Sequence, residues 1–89
     1  MSSVVSRSIT VKVLCFAQLR DRIGDSEMAV PLPSGASSCD LLRVLQGRRP
    51  QVAPLLAVSR LAVNCAYVSG DVELHDGDEV VIIPPVSGG

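Results

Sequence analysis

Val80-Val81-Ile82-Ile83 is an unbroken apolar run that stops at Pro84-Pro85. A short run rich in β-branched residues and closed by proline reads as a strand. A strand that is apolar at every position asks for cover on both faces and a central place in its sheet. The rest of the chain must therefore supply strands on either side of it and layers above and below. The material for those layers is aliphatic: 47% of the 89 residues are apolar, yet they include one Phe, one Tyr and no Trp. A chain of this length makes one domain, close to the lower limit for a core that stands without metals or disulfides.

The neighbouring strands are legible from their alternation. Ile9, Val11, Val13 and Cys15 recur at every second position up to Phe16, as do Met28, Val30 and Leu32. Pro31 and Pro33 mark the second of these as a strand with an exposed side or an early stop. Gln18 to Asp25, with Gly24 near its end, is a polar connection that would join the two as an antiparallel hairpin with a long loop. Ser34-Gly35-Ala36 breaks the pattern, and a helix follows. Ser37 and Asp40 stand at capping-box spacing. Leu41, Leu42 and Leu45 share one side with Val44 at its margin, while Arg43 and Gln46 can face water. Gly47 reads as the C-terminal cap and Pro50 as the stop. Val52 to Val58, interrupted by Pro54, reads as irregular structure or a short helical turn.

Leu61-Ala62-Val63 and Tyr67-Val68 flank a turn at Asn64-Cys65-Ala66, because Asn tolerates turn geometry. Asp71 to Leu74 reads as a short edge strand, and His75-Asp76-Gly77-Asp78 as a turn into the apolar run. The order is strand, strand, helix, short strands, central strand. If the last strand joins the first in parallel and the helix crosses one face, the chain is an α+β protein of the β-grasp type. It then has a mixed sheet and one main crossing helix. Residues 1–7 are expected as a flexible leader, 8–83 as the domain and 84–89 as an extended tail.

Composition narrows the function. A formal net charge of −1 gives no electrostatic reason to expect nucleic acid or an anionic membrane as partner. Cys15, Cys39 and Cys65 are odd in number, with no CxxC pair and no His-rich surroundings. They read as thiols in a reducing compartment, small and buried, and not as a disulfide framework or a zinc site. No apolar run approaches the ~20 residues of a membrane span. Met-Ser-Ser-Val-Val-Ser-Arg is too short and too weakly apolar for a secretory signal, so the cytosol is the expected location. His75 lies in a turn away from any metal-ligand spacing and reads as a solvated loop residue. Arg48 and Arg49 suit the negative end of the helix dipole. Phe16 is expected in the core.

The segment after the central strand is Pro84-Pro85-Val86-Ser87-Gly88-Gly89. Two prolines end sheet pairing and stiffen the exit toward an extended form. Two glycines without Cβ can pass through a channel that rejects side chains. Six residues reach at most ~20 Å from the body. Taken alone, such a segment is either a frayed end or a thin arm that presents a carboxylate inside another protein.

The sequence resembles the MoaD-type small subunit of molybdopterin synthase, within the MoaD/ThiS group of ubiquitin-like sulfur carriers. The resemblance is carried by Val13-Leu14-Cys15-Phe16-Ala17-Gln18-Leu19-Arg20-Asp21-Arg22-Ile23-Gly24 and by Leu61-Ala62-Val63-Asn64 with Tyr67-Val68. It is strongest in the block from Asp76 through Glu79, Val80 to Ile83 and Pro84-Pro85-Val86-Ser87-Gly88-Gly89. The serine-rich leader and the three cysteines lie outside the family pattern.

That resemblance implies a mechanism. A ubiquitin-activating-like enzyme would spend ATP to adenylate Gly89, and a persulfide donor from a sulfurtransferase would replace AMP to leave a thiocarboxylate. The terminal sulfur would be delivered within the large catalytic subunit to cyclic pyranopterin monophosphate to build the dithiolene of molybdopterin. Two carriers on a dimer of large subunits would give a heterotetramer. Gly89 would be the covalent carrier, Gly88 would supply clearance, and Pro84, Pro85, Val86 and Ser87 would form the inserted stem. No cofactor would be bound permanently, no metal would be held, and the catalytic acid–base groups would belong to the partner. Two rivals stand beside this. One is a carrier for thiamine thiazole synthesis or tRNA thiolation, and the other a ubiquitin-like modifier that transfers no sulfur.

Overall fold

The computed structural model describes residues 7–15 and 27–85. Within them β1 (Ser8–Cys15), β2 (Glu27–Pro33), β3 (Arg60–Val63), β4 (Ala66–Tyr67) and β5 (Glu79–Ile83) form one sheet in the order β2-β1-β5-β3-β4. The apolar run is the middle strand. It lies parallel to β1, with Val13 beside Val80 and Cys15 beside Ile82, and antiparallel to β3, with Leu61 beside Ile82. β1 and β2 are antiparallel, Val11 opposite Val30. Helix α1 (Ser38–Arg48) follows β2 and packs on one face, which is the β-grasp arrangement read from the sequence.

Alternation decides which side chains meet the helix. Ile9, Val11, Val13 and Cys15 of β1, Val30 and Leu32 of β2, and Val80 and Ile82 of β5 are buried against Leu41 and Leu45 of α1. Val52, Leu56, Leu61 and Leu74 complete this aliphatic core. Pro31 and Pro33 are exposed on β2, an edge strand where a missing N–H breaks no central ladder. The expectation that β5 is covered on both sides does not hold. Val80 and Ile82 are fully buried, but Val81 and Ile83 are only half-buried. Among the described residues the helices pack on one face of the sheet, the one that carries Val80 and Ile82.

The start of α1 is capped more completely than the sequence indicates. Ser37 and Asp40 form the expected capping box: Asp40 N donates to Ser37 Oγ at 3.3 Å and Ser37 N to Asp40 Oδ2 at 2.9 Å. Cys39 N donates to Asp71 Oδ1 at 2.8 Å and Ser38 N to the carbonyl of Val72 at 2.8 Å. All the first-turn donors thus have acceptors, and a second carboxylate sits at the positive end of the helix dipole. This role explains why Asp71 to Leu74 is not an edge strand. The segment is drawn to the helix start, where Glu73 makes an isolated antiparallel bridge with Ser37 and Leu74 enters the core.

One further expectation is corrected at the far end of α1. Gly47 is not the cap; the helix runs on through Arg48 and is capped at Arg49, with φ −139° and ψ 78°. Pro50 sets this stop by excluding helical geometry from the residue before it. The next stretch takes the helical of the two readings, a 3₁₀ turn (Pro50–Val52) followed by the short helix α2 (Ala53–Ala57). Pro54 sits in the first turn of α2, where its missing N–H has no partner to lose.

Candidate functional site

The chemistry expected of this chain depends on where β5 delivers the tail, and a dense set of hydrogen bonds fixes the start of that strand. His75 to Asp78 forms a turn with Gly77 at φ +84° and Asp78 N donating to the carbonyl of His75 at 3.1 Å. Toward β1, Thr10 N donates to Asp76 Oδ1 at 2.8 Å, Gly77 N to the carbonyl of Thr10 at 2.9 Å, and Lys12 N to that of Asp78 at 2.9 Å. Toward β3, Asn64 Nδ2 donates to Asp78 Oδ1 at 2.9 Å and Asn64 Oδ1 accepts from Glu79 N at 3.0 Å. Asn64 sits at φ 49° and Cys65 at φ 72°, the two left-handed positions of a tight hairpin between β3 and β4. Desolvation pushes the Asp78 carboxyl upward. Hydrogen bonds from Asn64 and the His75 amide, with attraction to His75, outweigh it and hold the group below its usual range.

This pinning matters because register in a strand is all or nothing. A slip of one residue would turn Val80 and Ile82 out of the core and move the tail root by a full residue. At the other end Ile83 is followed by Pro84, which is buried, and Pro85, which is exposed. Val86, Ser87, Gly88 and Gly89 lie outside the described residues. So do Phe16, the connection Gln18 to Asp25 with Gly24, and residues 1–6 of the expected leader.

The sheet face away from α1 forms the surroundings of the tail root. Cross-strand pairing sets Leu14, Val81, Ala62 and Tyr67 in one row, and Ile83 beside Arg60 in the next. Tyr67 is 69% exposed, Leu14 and Val81 are half-buried, and Ala62 is covered by its larger neighbours. The Arg60 guanidinium lies over the Tyr67 ring, 5.8 Å from its centroid. Sequence reading missed this face. The signal was present: a single crossing helix, the one expected from the sequence, cannot cover both faces of a strand as apolar as β5.

The cysteines are placed differently from expectation. Cys15 is buried in the core, but Cys39 and Cys65 are exposed. Asp71, which hydrogen bonds with the Cys39 thiol and repels its thiolate, pushes that group above its ordinary value. Such a thiol is a weak nucleophile at neutral pH. His75 is exposed in its turn, 3.9 Å from both Glu73 and Asp78. No helix among the described residues is long and apolar enough to cross a membrane.

Comparison with known proteins agrees with this geometry. The model of the ThiS family matches residues 13–89, a span that runs from β1 through the terminal glycines. The molybdopterin synthase sulfur carrier subunit of Dictyostelium discoideum is 43% identical over 81 residues, covering 88% of this chain and 94% of that protein. A solved Pyrococcus furiosus structure, titled as a putative molybdopterin converting factor subunit 1, superposes with a TM-score of 0.80. It is 37% identical and covers 88% of this chain and 99% of its own. The fold also recurs, at TM-score 0.64 and 23% identity, in a Helicobacter pylori complex of subunits 1 and 2 of molybdopterin-converting factor. That match covers 91% of this chain and 100% of the other. A mixed five-strand sheet with a pinned central strand, and a family match that takes in the whole tail, together place this chain in the ThiS family of ubiquitin-like β-grasp proteins.

Proposed function

We propose that this chain is the sulfur-carrier small subunit of a molybdopterin synthase, with Gly89 as the covalent carrier. The observation that carries this reading is the direct continuation of the central, register-locked strand into Pro84-Pro85-Val86-Ser87-Gly88-Gly89. A terminal carboxylate is useful as a carrier only if its distance from a rigid body is fixed, and β5 is held on both sides, by β1 and by β3. The 43% identity to a relative bearing that name supports the molybdopterin branch over the thiazole and tRNA carriers.

The chemistry belongs to the main-chain terminus. A carboxylate is a poor electrophile, so an adenylating enzyme transfers AMP from ATP to Gly89 and releases pyrophosphate. A persulfide sulfur then attacks the acyl carbon, AMP leaves, and reductive cleavage of the S–S bond by a thiol leaves the thiocarboxylate. This terminal sulfur attacks the pterin precursor in the large subunit. Gly88 gives clearance and Pro84 to Ser87 form the stem, while the open sheet face meets the body of the partner. The carrier works in the cytosol, as a non-catalytic sulfur donor in an assembly of two small and two large subunits.

The test is ATP-dependent thiocarboxylation followed by sulfur transfer to the pterin precursor, read by mass spectrometry. Deleting Gly89, or adding one residue after it, moves the reacting carbonyl by roughly 3.3 Å. Even about 1 Å of misplacement can cost on the order of a hundredfold in rate. Both variants should lose transfer while melting like the parent, and Gly88→Val should fold but adenylate poorly. Full activity from an extended chain that has not been trimmed rules out the mechanism.

A further inference from the structure

Among the described residues two cations, Lys12 and Arg60, lie on the open face, and they are not equivalent. Lys12 has an anion at hand, Glu27 at 3.5 Å. Arg60 makes no ion pair among the described residues, although it is exposed and has Glu79 and Asp78 on the same sheet. It is held instead over the ring of Tyr67. Between these two side chains lies a groove of ≈ 240 Å³ lined by Arg60, Tyr67, Val68 and Ser69.

The lining has a definite chemical preference. The guanidinium offers a planar fork of donors that matches a carboxylate, and the Ser69 hydroxyl adds another donor. Val68 and the tyrosine ring offer apolar surface for the one or two methylenes that carry such a group. Stacking on the ring restrains the arginine before anything binds, so less freedom is lost when it does. A groove with one arginine, in a chain of net charge −1, does not suit nucleic acid, which calls for several phosphate contacts. Arg and Tyr are also the residue types that most often dominate binding energy at protein interfaces.

Position names the occupant. Arg60 pairs in register with Ile83, the last residue of β5 before the tail, so a protein that receives the tail in a deep site must come up against this groove. We infer that Arg60 and Tyr67 form a specificity clamp that takes an aspartate or glutamate side chain of the large subunit, at the point where the tail enters it. The inference rests on the proposed function and adds to it the residue pair that selects the partner.

The experiment measures association of the carrier with the purified large subunit by titration calorimetry at low and moderate salt. Wild type, Arg60→Ala, Arg60→Glu, Arg60→Lys and Tyr67→Ala are compared. All these positions are exposed, and thermal melts should stay close to the parent. Arg60→Ala should weaken binding about tenfold and Arg60→Glu on the order of a hundredfold, with a flatter salt dependence in both. Arg60→Lys should recover only part, since it keeps the charge but not the fork, and Tyr67→Ala should resemble Arg60→Ala. Reversing the facing acidic residue of the large subunit should rescue Arg60→Glu. Wild-type binding that Arg60→Glu leaves unchanged would overturn the clamp alone. Failure of the wild type itself to bind the large subunit would instead overturn the function on which the clamp rests.

Discussion

Ile82 and Ile83 are neighbours on β5 with the same side chain and opposite duties, so truncating each in turn tests the one-sided sheet. Ile82 is fully buried against α1, and its replacement by Ala leaves a cavity in a core that is aliphatic throughout the described residues. Such a truncation costs ~2–5 kcal/mol. The whole stability of a domain is ~5–15 kcal/mol. At about 4–8 °C per kcal/mol for a chain of this size, Ile82→Ala should lower Tm by on the order of 20 °C. Ile83 is half-buried on the open face, and its loss should cost about 1 kcal/mol, the span of strand preference. The order should reverse for association with the large subunit: Ile83→Ala weakens it, and Ile82→Ala, compared per folded molecule, does not. Ile82→Asp should not fold, because the carboxylate would be buried without a partner. Circular dichroism melts and binding titrations on the same samples provide both readouts. Equal losses of Tm at the two positions, or a larger loss at Ile83, would refute the one-sided sheet.

The capping and charge network yields further expectations. Ser37→Ala should cost ~0.5–2 kcal/mol in urea unfolding, with the m-value unchanged, since Asp71 continues to serve Cys39 N. Hydrogen bonds, chiefly that from Cys39 N, hold Asp71 below its ordinary pKa, as those to Asp78 outweigh its desolvation. A carboxyl depressed in the folded state stabilises above its unfolded value and loses that contribution as pH falls through the folded one. Tm should therefore be level from pH 7 to 5 and fall below about pH 4, with a shallower fall in Asp78→Asn. Replacing Cys15, Cys39 and Cys65 together by Ser should preserve thiocarboxylation and transfer per folded molecule, with the stability loss traceable to buried Cys15. Loss of transfer in a well-folded triple variant would assign a thiol to the chemistry.

What was legible in the sequence was what neighbouring residues decide between themselves. The capping box at Ser37 and Asp40, the Gly77 turn and the alternation of β1 are complete within a few positions, and each is found where expected. The errors share a different origin. Gly47 carries a local stop signal, but nothing forces it out of the helix, and the constraint that acts is Pro50 on Arg49. Asp71 looks like strand punctuation until the helix start, 32 residues earlier in the chain, is brought against it. Val81 and Ile83 look like core until the number of covering layers is known. The same division runs through the candidate site: the tail could be read letter by letter, whereas the Arg60–Tyr67 groove exists only once β3 and β4 are paired.

The two sheet margins have a consequence for life at high concentration. An open β-sheet edge invites strand addition from any other chain, and an apolar face beside it would strengthen a misplaced contact. Here one margin is β2, with two exposed prolines, and the other is β4, only two residues long. Neither offers a long ladder of free donors and acceptors. With both described margins blunted in this way, edge-to-edge addition of further strands is disfavoured even where the molecules are crowded.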